Sequence, residues 1–107
     1  MQSESHTQSQ ILNWLRNHNV LHWRIPVGGV KHAGIRKKSP MRGFPDLMGC
    51  IPGTLGRMFA IEIKADDGNL SQCQKDVIFN LEKAGALVIV ARSLQDVTII
   101  FKEFIAI

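Results

Sequence analysis

Residues 46–65 read DLMGCIPGTLGRMFAIEIKA, a strand–turn–strand pattern with Asp46 at one outer end and Glu62 and Lys64 near the other. Asp46 to Ile51 and Arg57 to Ala65 read as strands, and Pro52, Gly53, Thr54, Leu55 and Gly56 between them are turn residues. A turn centred near Thr54 makes opposed positions sum to about 109, which predicts Asp46 across from residues 62 to 64. Strand side chains alternate, so Phe59, Ile61 and Ile63 share one face while Ala60, Glu62 and Lys64 share the other. An acid and a base are thereby set side by side, next to a second acid from the neighbouring strand.

Towards the C-terminus, a polar turn (Asp66 to Asn69) precedes a helix predicted over 71–84, with Val77, Ile78 and Leu81 on one stripe and Gly85 as its stop signal. Ala86 to Ala91 is a continuous apolar run, as expected of a central parallel strand covered on both faces. Residues 57–91 then form a strand–helix–strand crossover. A last helix, from Leu94 to Phe104 and capped by Ser93, repeats Val97, Ile100, Phe101 and Phe104 at helical spacing. Towards the N-terminus, Ile11, Trp14, Leu15 and His18 define a helix from Ser5 to His18, and Val20 to Pro26 alternates as a half-buried strand. The sum is an α/β fold, a mixed sheet flanked by helices in the order α-β-β-β-α-β-α. Trp14 and Trp23 are expected in its core. The Gly-rich, basic stretch from Val27 to Phe44 is too long for an idle connection, and reads as a binding loop or a hairpin.

With 107 residues, 45% hydrophobic and 21% charged, the chain is expected to be one globular domain over 1–107, without repeats or low-complexity tracts. No apolar run reaches the roughly 18 residues that cross a bilayer, and the polar N-terminus lacks a signal core, so a cytoplasmic protein of a bacterial cell or phage-infected host is expected. Cys50 and Cys73 are too far apart for a Cys-x-x-Cys pair, and His6, His18, His22 and His32 show no zinc spacing, so any metal should be held by oxygen. The formal charge of +4 favours a polyanionic partner. Arg16, Arg24, Lys31, Arg36, Lys37, Lys38 and Arg42 all precede Asp46, which leaves two readings of the loop: a solvated basic face, or backbone phosphate contact by Lys31, Arg36, Lys37, Lys38 and Arg42. His32 among them reads as an ordinary exposed histidine.

Two carboxylates from adjacent strands beside an ammonium suit a hard divalent cation acting on a phosphodiester, since Mg²⁺ prefers carboxylates, carbonyls and waters. Asp46, Glu62 and the Ile63 carbonyl are the expected metal ligands, with Lys64 orienting water or stabilising the transition state. Alone, Glu62-Ile63-Lys64 reads equally as decoration on a solvated strand. Gln74 also has two readings. With Ser71 it forms an S-x-x-Q capping box, and it stands on the stripe that faces the sheet near Lys64.

Gly43-Phe44-Pro45-Asp46-Leu47, Ala60-Ile61-Glu62-Ile63-Lys64 and Leu70-Ser71-Gln72-Cys73-Gln74 together resemble the Pro-Asp, Glu-x-Lys and Gln signature of the PD-(D/E)xK nucleases. More narrowly, the chain is similar to the virus-type replication-repair nuclease (VRR-NUC) domain, from Glu4-Ser5 and Gln8 to the helix at Ser93. The resemblance implies a restriction-endonuclease-like core, a catalytic set of Asp46, Glu62, Lys64 and Gln74, and Mg²⁺ or Mn²⁺ as cofactor. It also implies a metal role for Glu4, whose other reading is a favourable charge on a helix N-terminus. Its implied activity is an endonuclease on DNA, leaving 5′-phosphate ends. Stand-alone members cut branched DNA such as four-way (Holliday) junctions, commonly as homodimers of phage or viral origin. Three rivals stay open: a non-catalytic nucleic-acid-binding module of the same fold, a nuclease on simple duplex DNA or RNA, and a structural assembly protein.

Overall fold

The computed structural model describes residues 2–26, 30–32, 35–37 and 41–106. Helix α1 (Glu4–Asn17) begins at Ser3, whose hydroxyl accepts the His6 N–H, and it ends where Asn19 enters the left-handed region. It is followed by β1 (His22–Arg24), a separate hairpin of β2 (Val30–His32) and β3 (Ile35–Lys37), then β4 (Leu47–Cys50) and β5 (Met58–Ile63). Helix α2 (Gln72–Lys83), β6 (Leu87–Ala91) and α3 (Leu94–Phe101) complete the chain. The main sheet has the order β1-β4-β5-β6, antiparallel except for the parallel pair β5–β6. This is the predicted α/β class, with the predicted order of helices and main-sheet strands. The basic stretch contributes the hairpin as an addition.

The β4–β5 register pairs Leu47 with Ile61 and Cys50 with Met58, so the turn is centred one half-step from the expected position. Gly49, paired with Phe59, is required by close approach: a Cβ there would overlap the Leu21 carbonyl and the Phe59 ring. Every residue from Phe59 to Ile63 is buried. On one face of β5, Phe59, Ile61 and Ile63 join Ile11 and Leu15 of α1 and Val97 and Phe101 of α3 in the core. Phe59 and Phe101 meet edge to face at 5.0 Å, a geometry worth about 1 kcal/mol beyond the area it buries. The opposite face, with Ala60 and Glu62, lies under α2, which has only partly buried residues on its inner stripe.

Three expectations need correction. The apolar run at 87–91 forms an edge strand, because α2 and α3 cover its two faces while nothing described pairs with its outer side. Face burial sets the apolar pattern, and it does not distinguish edge from centre. Ser93 occupies the N-cap of α3 without a side-chain bond, and Asp96 of the first turn instead accepts the Arg92 N–H at 2.8 Å. Trp23 is 46% exposed on the short edge strand β1 rather than in the core, whereas Trp14 packs half-buried between His18 and Phe101. Among the described residues, no helix is long and apolar enough to cross a membrane.

Candidate active site

The site forms where β4 and β5 begin to part. The Asp46 carbonyl is taken by the Ile25 N–H at 2.8 Å, which turns the Asp46 main chain towards β1. Continuing the β4–β5 register by one residue sets Asp46 across from Glu62, and by two sets Pro45 across from Ile63. In a regular ladder Ile63 would exchange both of its main-chain bonds with the residue opposite. Asp46 Oδ2 accepts the Ile63 N–H instead, at 2.8 Å. Pro45 has no N–H to offer the Ile63 carbonyl, so that oxygen is available to a ligand. The Pro-Asp pair therefore does two jobs by geometry: it brings an acid to the rung and withholds a donor from the neighbouring carbonyl.

Glu62 is only 3% exposed. Its Oε1 accepts from Gln74 Nε2 at 2.7 Å, and its buried Oε2 has no hydrogen-bond partner. An unpartnered buried carboxylate oxygen is costly unless something binds it or it carries a proton. Burial, a side-chain hydrogen bond with Asp46 and the Asp46 charge push Glu62 up to about 8 from the usual 4.5, against a smaller downward pull from Lys64 and with a still smaller upward push from Glu4. Gln74 closes the capping box and also faces the sheet. Its Oε1 accepts the Ser71 N–H at 2.9 Å and its N–H bonds Ser71 Oγ, closing the capping box, while its amide nitrogen is left to hold Glu62.

Asp46, Glu62 and Gln74 line a cavity of about 350 Å³, together with Arg42, Gly43, Phe44, Ser71, Gln72 and Cys73. Gly43 is needed at its rim. With φ of +79° it rests on the first turn of α2, where a Cβ would fall 2.5 Å from Cys73 Sγ. Lys64 is half-buried at the end of β5 and is not among the lining residues, although its charge is felt at Glu62. Glu4 is exposed in the first turn of α1, and its charge also reaches Glu62.

These residues fit a hard divalent cation. Among the described residues no three His, Cys, Asp or Glu side chains converge, and the oxygens on offer are the Asp46 and Glu62 carboxylates and the Ile63 carbonyl. That set suits an ion such as Mg²⁺, which keeps several of its waters. The orphaned Glu62 Oε2 is the observation that matches it best.

The model of the VRR-NUC domain matches residues 2–95. The chain belongs to the VRR-NUC family. Membership implies a nuclease of the PD-(D/E)xK type. A solved structure titled "VRR_NUC domain protein" is similar over 98% of this chain and 89% of that one, with 22% identity and a TM-score of 0.68, which agrees with the fold. No curated protein matches the sequence.

Of the site residues expected for a VRR-NUC nuclease, Asp46, Glu62, Ile63 and Gln74 come together, with Lys64 adjoining and Glu4 further off. Arg42 is exposed at the cavity. Lys31, Arg36 and Lys37 fall on the β2–β3 hairpin, where only the backbone is described, and Lys38 lies outside the described residues. Sequence reasoning missed Gly43, Phe44, Gln72 and Cys73 as cavity walls. A glycine next to the Pro-Asp motif was the available signal for Gly43, but Cys73 is brought there only by the docking of α2.

Proposed function

We propose that this chain is a Mg²⁺- or Mn²⁺-dependent endodeoxyribonuclease with a single catalytic domain over 1–107, acting on branched DNA such as four-way junctions. The observation that carries the chemistry is the buried, unpartnered Glu62 Oε2 beside Asp46 in a cavity open to substrate. Asp46, Glu62 and the Ile63 carbonyl hold the cation. When bound, the cation neutralises charge on the phosphate and acidifies its water. Gln74 keeps Glu62 Oε1 engaged, which leaves Oε2 for the ion. Lys64 donates to the attacking water or to the charge that gathers on the phosphate. Glu4 adds negative charge at the rim, directly or through water.

A formal charge of +4 and the basic residues Lys31, Arg36, Lys37, Lys38 and Arg42 support a polyanionic substrate. Contacts of this kind grip phosphates without reading bases. A homodimer would bring two cutting centres to the two strands of a junction. Labelled junction, flap, duplex and RNA substrates, each incubated with Mg²⁺, Mn²⁺ or EDTA, test the proposal. Metal-dependent cutting that favours the junction is the expected result. Binding without cutting would make the chain a non-catalytic module, and preference for RNA or plain duplex would overturn the substrate.

A further inference from the structure

We propose that Arg92 is the positioning residue for Lys64, an inference that rests on the role given to Lys64 above. Lys64 ends the β5 ladder with its N–H on the Ala91 carbonyl at 3.0 Å. Beyond it the chain turns at once, through the exposed Asp66 and Asp67, and closes with Gly68 N–H on the Ala65 carbonyl. This turn puts no residue into the core. Its anchor is Arg92, whose Nη1 donates to the Ala65 carbonyl at 2.6 Å and to the Gly68 carbonyl at 2.8 Å. Arg92 follows the last residue of β6, and its own N–H is fixed by Asp96 of α3. The guanidinium thus extends from a rigid strand end and grips both ends of the turn after Lys64.

The turn in its grip is also the wall beside the lysine. A Cβ built on Gly68 would lie 3.5 Å from Lys64 Cδ, so the aliphatic stem passes Gly68 with room for little more than a methyl group between them. Among the described residues no acceptor hydrogen-bonds the Lys64 ammonium, so its direction rests on the path of its stem and on its attraction to Glu62. A planar, always charged guanidinium suits this task, because it loses less freedom per bond formed than a lysine amine does. If the turn moves, the stem moves with it, and displacement of a reacting group by about 1 Å costs up to a hundredfold in rate.

The test uses the full chain with labelled lysines and reads the Lys64 ε-CH₂ resonance, assigned by its loss in Lys64→Ala. In Arg92→Ala that resonance should move to the position of solvent-exposed lysines. Single-turnover cleavage should fall about ten- to a hundredfold. DNA affinity in EDTA should stay within about twofold, because the guanidinium does not contact phosphate in this role. Added guanidinium ion should restore part of the Arg92→Ala rate and none of the Lys64→Ala rate. Arg92→Lys should fall between wild type and Arg92→Ala, and it carries the measurement if the alanine variant does not fold. An unmoved Lys64 resonance with unchanged cleavage overturns the inference. If the wild-type chain cuts no nucleic acid, the nuclease reading fails, and the resonance still decides the role of Arg92.

Discussion

At the residue scale, the burial of Glu62 ties the candidate site to pH. The fold favours protonated Glu62, so between pH 4.5 and about 8 the metal-free protein binds more protons folded than unfolded. The resulting stability is complete at the acid end of that window and declines as pH rises through it. A divalent cation needs the ionised form, so binding at pH 7 should release about one proton per ion and strengthen with pH up to about 8. Glu62→Gln keeps an acceptor for Gln74 and removes the charge. Thermal unfolding should show the variant more stable than wild type at pH 8, by roughly 4–8 °C for each kcal/mol regained. Mn²⁺ should raise its melting temperature far less, and an equal metal response in both proteins would refute the ligand role of Glu62. Asp46, Glu62 and Lys64 were legible because strand alternation and one tight turn fix their relative places. Arg92 was not, since a lone arginine after an apolar run carries no signal until α3 and the Asp66–Gly68 turn converge on it. The exposure of Trp23 was hidden for a similar reason: its strand looks half-buried, and only the sheet order reveals that it lies at the border.

At the scale of elements, α2 reaches the candidate site through one side chain. Its N-terminal box fixes the Gln74 amide, and the same amide fixes Glu62. Element order and helix positions could be read from periodicity, with ends displaced by a few residues at most. The border position of β6 could not, because a strand roofed on both faces is apolar whether or not it has two neighbours. Glycine reports a different constraint, the closeness of β1 to β4. Gly49→Ala should force β1 and the Phe59 ring apart, with a cost of about 3 kcal/mol or more. A urea midpoint close to that of wild type would show that β1 is free to shift.

At the scale of the whole molecule, charge is distributed unevenly along the chain: seven of the thirteen Lys and Arg residues precede Asp46, from α1 through β1 and the hairpin to Arg42. If the basic stretch grips phosphates, neutralising Lys37 and Lys38 together should weaken binding to every sequence alike. The slope of log affinity against log salt should become shallower by about one for each phosphate that is no longer neutralised. An effect limited to one sequence would point to base readout and contradict the phosphate clamp.

The last rung between the two central strands is made by the Asp46 side chain and not by main chain. A substitution that erased this acid would therefore remove a structural pin of the sheet along with the proposed metal ligand, so loss of the proposed activity and fraying of the sheet would begin together. Asparagine would be the exception, because its carbonyl oxygen can still receive the Ile63 N–H. Inactive descendants that remain well folded should carry it.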